Sequence, residues 1–496
     1  MRTPPYSSLL LALPLVACGG GGPGTAERQT PNWNVLLVTL DTTRPDWLGC
    51  YGGAGETPHI DRVAAEGARF ERCQSTAGIT PMSHASILTG LNNYAHGMRV
   101  FHSDEISHTL KEDVDSLPEI LKERRGYATA AMLSAYVVSE IYNLQQGFDT
   151  FLHGVDLTQI TAEKQSRHEV FFERETGKTR TQRRSDHTVD DALGWLEEQE
   201  SRDQAWCMWM HLFDVHDYTI LPPDEYAQER GIQFPAAASR APKGHKLREE
   251  LYGPELSYMD QQLGRVLDWL RDNGKYEETV VVITADHGQG LLDGLERHGW
   301  AKHRLLYDWS IRVPLIIKVP GETSQTVVSD LVRTIDIVPT ILEALQVGTA
   351  QEMHGASVLG LMQGQVDESP RMAYADALNL FDAHAPARGK LPPGHDDNMY
   401  CLNDGTWKLV WRVQDTTQGE LFNLDEDPEE LRNLFIEDHP QVQRLKAQLD
   451  AQGAFHLDPP SDSNAAAVDP DMLRGLGYGG GEDEAAPPDP EDEDRR

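Results

Sequence analysis

Asn34-Val35-Leu36-Leu37-Val38-Thr39-Leu40-Asp41-Thr42-Thr43-Arg44-Pro45 sets a short, almost wholly apolar run directly against an acid. A run of that length with polar residues just after it reads as a strand buried on both faces. Two later runs repeat the design. Residues 206–213 are followed by Asp214, Val215 and His216, and residues 279–284 by Ala285, Asp286 and His287. Between them, residues 189–198 and 255–273 carry the spacing of amphipathic helices. Alternation of this kind from Asn34 to about Leu359 predicts an α/β fold, an α/β/α sandwich around a mostly parallel sheet. The polar ends of the three runs then meet at the carboxyl edge of that sheet, where open α/β sheets bind ligands.

Beyond about Arg371 the texture changes to short strands and turns, such as Trp407-Lys408-Leu409-Val410-Trp411, followed by a helical stretch over residues 440–452. This predicts a catalytic domain over residues 32–370 and a small α+β subdomain over residues 371–457. The tail from 458 to 496 is rich in Pro, Ala, Gly and acids, a composition that does not support a core. No fixed internal period is present.

The chain carries 79 acidic and 44 basic residues, a formal net charge of −35. That field opposes nucleic acid and anionic membrane surfaces unless a basic patch offsets it locally. The nearest basic run, Lys178 to Arg184, reads as a solvated loop. At the other end, Arg2 precedes an apolar run over residues 9–16, which closes on Leu15-Val16-Ala17-Cys18. This resembles the lipobox of bacterial lipoproteins. The resemblance implies that residues 1–17 are a signal peptide and that Cys18 is lipidated. It also implies that residues 18–31 form a flexible Gly/Pro-rich tether and that the protein is exported and anchored to the cell envelope. No other segment approaches the roughly 20 apolar residues of a membrane span. Export would put Cys50, Cys73, Cys207 and Cys401 in an oxidising compartment, where four cysteines allow three pairings. The apolar surroundings of Cys50 and Cys207 suit buried free thiols.

Three clusters carry the chemistry. Asp41 ends a buried strand, so its charge calls for a cation or several donors; it is a metal-ligand candidate, although such an Asp taken alone is more often a cap of the next turn. Thr80-Pro81-Met82-Ser83-His84-Ala85-Ser86-Ile87-Leu88-Thr89-Gly90 reads as a helix with Thr80 as N-cap, Pro81 in the first position and Gly90 as the stop. A hydroxyl at that end sits in the positive end of the helix dipole, which favours a bound anion. Asp286-His287 forms a mixed oxygen and nitrogen pair that suits Mn²⁺ or Zn²⁺ better than Ca²⁺. Lys302-His303 and Arg312-Val313-Pro314-Leu315 follow it.

Together and in this order, the clusters resemble the sulfatase branch of the alkaline phosphatase-like superfamily over nearly the whole mature chain. Further matches are His211-Leu212-Phe213-Asp214-Val215-His216, Ile335-Asp336-Ile337-Val338-Pro339-Thr340 and Leu421-Phe422-Asn423-Leu424-Asp425-Glu426-Asp427-Pro428. The departures are equally specific. Sulfatases place a Cys or Ser at the nucleophile and oxidise it to formylglycine, with Pro two and Arg four residues on; here Thr80, Met82 and His84 stand in those places. Thr cannot become formylglycine. Thr42 replaces the second Asp of the family's opening pair, which removes a hard oxygen ligand.

A Thr nucleophile with Asp and Asp-His ligands resembles the phosphonate monoester hydrolases and the phosphoglycerol and phosphoethanolamine transferases. A formylglycine hydrate sheds sulfate by eliminating it from a geminal diol, whereas a Thr ester must be released by attack at its central atom. Phosphoryl esters are cleared that way beside a metal. The resemblance therefore implies hydrolysis or transfer of phosphate or phosphonate esters through a covalent Thr80 intermediate. It implies one divalent ion on Asp41, Asp286, His287 and Thr80, and His216 and His303 to bind the ester and protonate the leaving group. His84 would steer the anion or sit at the helix surface, Lys302 would bind substrate, and His211 reads as a core histidine. Sulfate-ester hydrolysis and anion binding without turnover are the competing readings. Substrates would be small, glycan or lipid-headgroup anionic esters, with specificity in the loops 155–185 and 221–247.

Lipidation has a direct test. Mass spectrometry of the membrane fraction should find a mature chain beginning at a diacylated Cys18; an N-terminus at Met1 would overturn the expectation.

Overall fold

The computed structural model describes residues 31–154, 178, 181–216, 220–234, 245–322, 324–367, 370–382, 391 and 395–460. Cys18, the leader, the tether as far as residue 30, most of the loop 155–185, residues 235–244 of the loop 221–247, and the tail from 461 lie outside the described residues.

Eight strands form the main sheet. They are β1 (Asn34–Leu40), β2 (Ala68–Gln74), β3 (Ala128–Met132), β4 (Thr150–Leu152), β5 (Trp206–Leu212), β6 (Thr279–Thr284), β7 (Arg312–Lys318) and β8 (Thr326–Arg333). Their order is β4-β3-β5-β1-β6-β7-β2-β8. All neighbours pair parallel except β7, which runs antiparallel to β6 and β2.

Side chains of β1 alternate between two cores, as a period of two requires. Val35 and Leu37 join one layer, Leu36, Val38 and Leu40 the other. Helices cover both faces: α1 (Pro58–Ala65), α2 (Thr80–Thr89), α3 (Leu117–Arg125), α4 (Ser185–Glu200), α5 (His245–Asp272), α6 (Leu291–His298) and α7 (Ile337–Ala344). Residues of α2, α3 and α7 pack on the first layer and residues of α1, α4 and α5 on the second. In α5, Leu256, Met259, Leu263, Val266 and Leu270 recur every three or four residues and are fully buried, the stripe a helix needs to cover a sheet. The expected α/β/α sandwich is what forms.

Register sets where the site lies. Thr39 stands opposite His211 of β5 and Thr284 of β6, so the three central strands end at one level and the residues after them share one edge. A second sheet, antiparallel in the order β12-β11-β10-β9, is built from β9 (Ala373–Leu378), β10 (Asn398–Asn403), β11 (Trp407–Arg412) and β12 (Glu420–Asn423). One face packs on α8 (Pro440–Ala451) through Val442, Leu445 and Leu449. The other packs on Leu305, Leu306, Trp309 and Ile311 of the loop after α6.

Two expectations change. The run Lys178 to Arg184 is not all solvated: Arg183 and Arg184 are buried and ion-paired with Asp191 and Asp186, and they donate to the carbonyls of Leu133 and Leu221. Cys50 is only half-buried, while Cys73, Cys207 and Cys401 are buried, and all four are free.

Helix α1 is capped from α5: Asp260 accepts from the amides of His59 and Ile60 at 3.1 and 2.9 Å. Burial pushes this carboxyl up to about 7. The folded value lies above the unfolded one near 4. Stability tied to the proton is therefore complete below about pH 4 and lost as pH rises through about 7. The stability advantage of wild type over Asp260→Asn, from urea unfolding between pH 4 and 8, should shrink with rising pH by up to about 1.4 kcal/mol per unit. A difference that stays flat would overturn this.

Candidate active site

Thr80 is the first residue of α2, with Ile79 extended before it (φ −149°, ψ 130°) and Pro81 in the first turn. The expectation of Thr80 as N-cap thus moves by one residue. Its hydroxyl, instead of serving the helix as a cap, lies 3.3 Å from Asp41 Oδ2 and 3.1 Å from His287 Nε2. Gly90 stops the helix in the left-handed conformation (φ 71°), as the sequence predicts.

Asp41 and Asp286 follow β1 and β6 and are fully buried. Each carboxylate has one oxygen supplied with donors. Asp41 Oδ2 accepts from His211 Nε2 at 3.0 Å as well as from Thr80. Asp286 Oδ1 accepts from the amides of Thr42 and His287 at 3.1 and 2.8 Å. The other two oxygens, Asp41 Oδ1 and Asp286 Oδ2, are buried without a hydrogen-bond donor. Burial and the neighbouring Asp286 raise Asp41 well above the ordinary carboxylate range. A cation between the carboxylates removes that conflict.

His287 completes the fit. Its Nδ1 donates to Gly288 O at 2.9 Å, which leaves the Nε2 lone pair facing Thr80. Among the described residues, Asp41, Asp286 and His287 are the one acid and imidazole group whose ligand atoms all lie within 4.8 Å. Two orphaned carboxylate oxygens and one imidazole nitrogen suit a divalent ion that accepts mixed ligands. Thr42, where the family has a second acid, is buried with φ 51° and its hydroxyl has no hydrogen-bond partner. A β-branched residue held in that conformation marks a constrained turn.

The remaining histidines divide in two. His303 lies beside His287: its ring is 4.7 Å from that of His287 and 5.5 Å from that of His216, and its Nδ1 donates to Gly78 O at 3.0 Å. Burial, with His287 and His216 nearby, pulls its pKa well below the usual imidazole value. Gly78 must be glycine here, since a Cβ would stand 2.5 Å from Ser310 Oγ and 3.0 Å from Arg304 N. Half-buried Lys302 belongs to the same loop.

His84 and His211 contact Thr80 and Asp41. His84 is fully buried, so it does not sit at a helix surface. All ten residues of α2 are buried. His84 Nδ1 donates to Thr80 O at 2.7 Å and Nε2 accepts from Thr39 Oγ1 at 3.0 Å. Burial lowers its pKa to about 3, so the ring is neutral. His211 is buried, as a core histidine is, and makes a contact with Asp41 that the sequence did not announce. It donates to Asp41, and burial holds it near 4. Its position at the end of β5, beside β1, was the available signal.

A profile of the sulfatase family matches residues 33–347. The chain belongs to the sulfatase family. A second profile, that of the N-sulphoglucosamine sulphohydrolase C-terminal region, matches residues 296–454. Among sulfatases it is similar to the N-acetylglucosamine-6-O-sulfatase of Bacteroides thetaiotaomicron, 24% identical over 88% of each chain. It is also similar to the arylsulfatase of Clostridium perfringens, 24% identical over 81% of this chain and 90% of that one. The fold is shared with the phosphonate monoester hydrolase of Agrobacterium radiobacter, with a TM-score of 0.65 and 18% identity over 86% of this chain and 96% of that one. It is shared too with a protein solved in complex with its substrate D-glucosamine-2-N,6-O-disulfate, with a TM-score of 0.62 and 21% identity over 86% and 98%. This sulfatase is therefore a hydrolase of sulfuric or phosphoric esters.

The ligand set predicts its own test. His287→Ala should strip most bound divalent metal, and His211→Phe should weaken binding by about 10- to 100-fold by releasing Asp41. Undiminished metal stoichiometry by elemental analysis in His287→Ala would show that the ion sits elsewhere.

Proposed function

We propose that this sulfatase hydrolyses phosphate or phosphonate esters through a covalent ester on Thr80, with one divalent ion, Mn²⁺ or Zn²⁺ rather than Ca²⁺, on Asp41, Asp286 and His287. The observation that carries the reading is the Thr80 hydroxyl, 3.1 Å from His287 Nε2 and 3.3 Å from Asp41 Oδ2 at a helix N-terminus. A bound divalent ion supplies the positive charge that favours an ionised hydroxyl and a polarised ester. The helix start favours the same charge.

The chain's own residues account for the rest. Thr80 Oγ1, its proton given up to solvent, attacks phosphorus in line and the bond to the leaving oxygen breaks. His303, with Nδ1–H held by Gly78, has Nε2 left to carry the proton to that oxygen. An anionic ester beside it raises its pKa against the effect of burial and so allows it to hold that proton. His216, stacked on Phe213 with centroids 4.2 Å apart, and Lys302 bind the ester's charge. Water then attacks the same phosphorus, the bond to Thr80 Oγ1 breaks, and His303 Nε2, left without its proton by the first step, takes one from that water. Threonine carries a single hydroxyl and cannot form the geminal diol from which sulfate is eliminated, so phosphorus is the favoured centre.

A second reading, sulfate-ester hydrolysis, is favoured by the relatives, which are named as an N-acetylglucosamine-6-O-sulfatase and an arylsulfatase. One assay separates the two: metal-reconstituted protein on aryl phosphate mono- and diesters, aryl phosphonates and aryl sulfates in parallel. Thr80→Ala should abolish turnover with metal retained, and Thr80→Ser should keep measurable activity. Phosphate or phosphonate should be trapped on the Thr80 peptide; sulfate there would favour the second reading, and a fully active Thr80→Ala would overturn both.

A further inference from the structure

A buried polar network runs from the helix of the nucleophile to the C-terminal sheet. Ser86 of α2 uses every position its hydroxyl offers. It donates to Asn93 Oδ1 at 2.9 Å and accepts from Thr76 Oγ1 at 2.8 Å and His96 Nε2 at 2.9 Å. The amide of Met98 donates to His96 Nδ1, which fixes the tautomer this requires. Asn93 Nδ2 donates to Thr76 O at 2.9 Å and to Asp376 Oδ1 at 2.7 Å. Asp376, on β9, also accepts from Tyr374 OH at 2.7 Å and pairs with Arg99 at 2.6 Å, and its amide donates to Thr76 O at 3.0 Å. Arg99 reaches on to the carbonyls of Ala454 and His456. Ser86, Asn93, Asp376 and Arg99 are all 2% exposed or less.

The network does something apolar packing cannot. With all ten residues of α2 buried, apolar burial alone scarcely distinguishes one rotation of the helix from another. Directional bonds do distinguish them. Turning a helix by about 20° moves a side-chain oxygen by roughly 1–2 Å. A misplacement of about 1 Å is worth about a hundredfold in rate. Thr76 and Ser86 flank Thr80 in sequence, so pinning both fixes the turn into the helix and its rotation.

We infer that Asp376 and Asn93 are positioning residues: through Ser86 and Thr76, the C-terminal sheet sets how Thr80 faces Asp41 and His287. The inference rests on Thr80 being the nucleophile. It is tested with Asp376→Asn and Ser86→Ala in the full chain. Amides of residues 80–90 should exchange hydrogen at least about tenfold faster in both variants, while residues 206–212 and 279–284 exchange as in wild type. On the wild type's best ester, kcat should fall about tenfold or more with KM within about twofold and bound metal unchanged. Ser86→Thr, which keeps the hydroxyl, should restore most of kcat. A network that only adds stability would lower the melting temperature and leave kcat intact well below it. That result, or wild-type exchange over residues 80–90, overturns the inference. Ser86→Ala is the smaller change and decides the matter should Asp376→Asn fail to fold. Failure of the Thr80 reading shows separately, as an active Thr80→Ala whose parent still gives the exchange response.

Discussion

Two carboxylates buried side by side constrain everything else in this sulfatase. Leaving one ionised carboxylate buried and uncompensated costs several kcal/mol, against a total stability of about 5–15 kcal/mol for a domain. The chain meets only half of the demand itself. Backbone amides and His211 satisfy one oxygen of each acid, and the other two oxygens remain for a cation. Neutral imidazoles lie nearby, so the field at that point is set by the acids and whatever they bind. Thr80 stands beside this arrangement, its hydroxyl 3.3 Å from Asp41 Oδ2 and 3.1 Å from His287 Nε2.

The sheet makes this affordable by delivering the acids on its most rigid strands. β1 and β6 are central and adjacent, in parallel register from Asn34 with Thr279 to Thr39 with Thr284. Asp41 and Asp286 therefore emerge at one level with little freedom to separate. Preorganisation of this kind is what a metal centre needs, because ligands held by the fold need not be ordered when the ion arrives.

How far the sequence could be read follows from this geometry. Asp41, Thr80, Asp286 and His287 were legible because each sits where a local pattern ends: an apolar run meeting an acid, or a Thr-Pro helix start. The sandwich was legible for the same reason, since parallel strands buried on both faces show as continuous apolar runs. His84 and His211 were not. Their contacts lie with Thr39 and Asp41, neighbours across strands, and no local pattern in α2 or β5 announces which side of a fully buried element faces the acids. The buried pairs of Arg183 and Arg184 escaped similarly, because a basic run looks the same whether its stems are covered or not.

The second sheet carries the argument one step further. Its inner face packs on Leu305, Leu306, Trp309 and Ile311, immediately after His303, and Asp382 just beyond β9 pairs with buried Arg304 at 2.8 Å. Glu430, paired with Lys408 inside the same unit, accepts from the amide of Asp308. The loop that carries His303 and Lys302 is thus built between the two sheets and not on the first alone. Matching this, the family profile of the C-terminal region begins at residue 296, before that loop and well ahead of β9. The working unit of the fold is therefore the large sheet's acids on one side and a loop clamped by the small sheet on the other. A shift of either sheet would change the distance between Thr80 and His303.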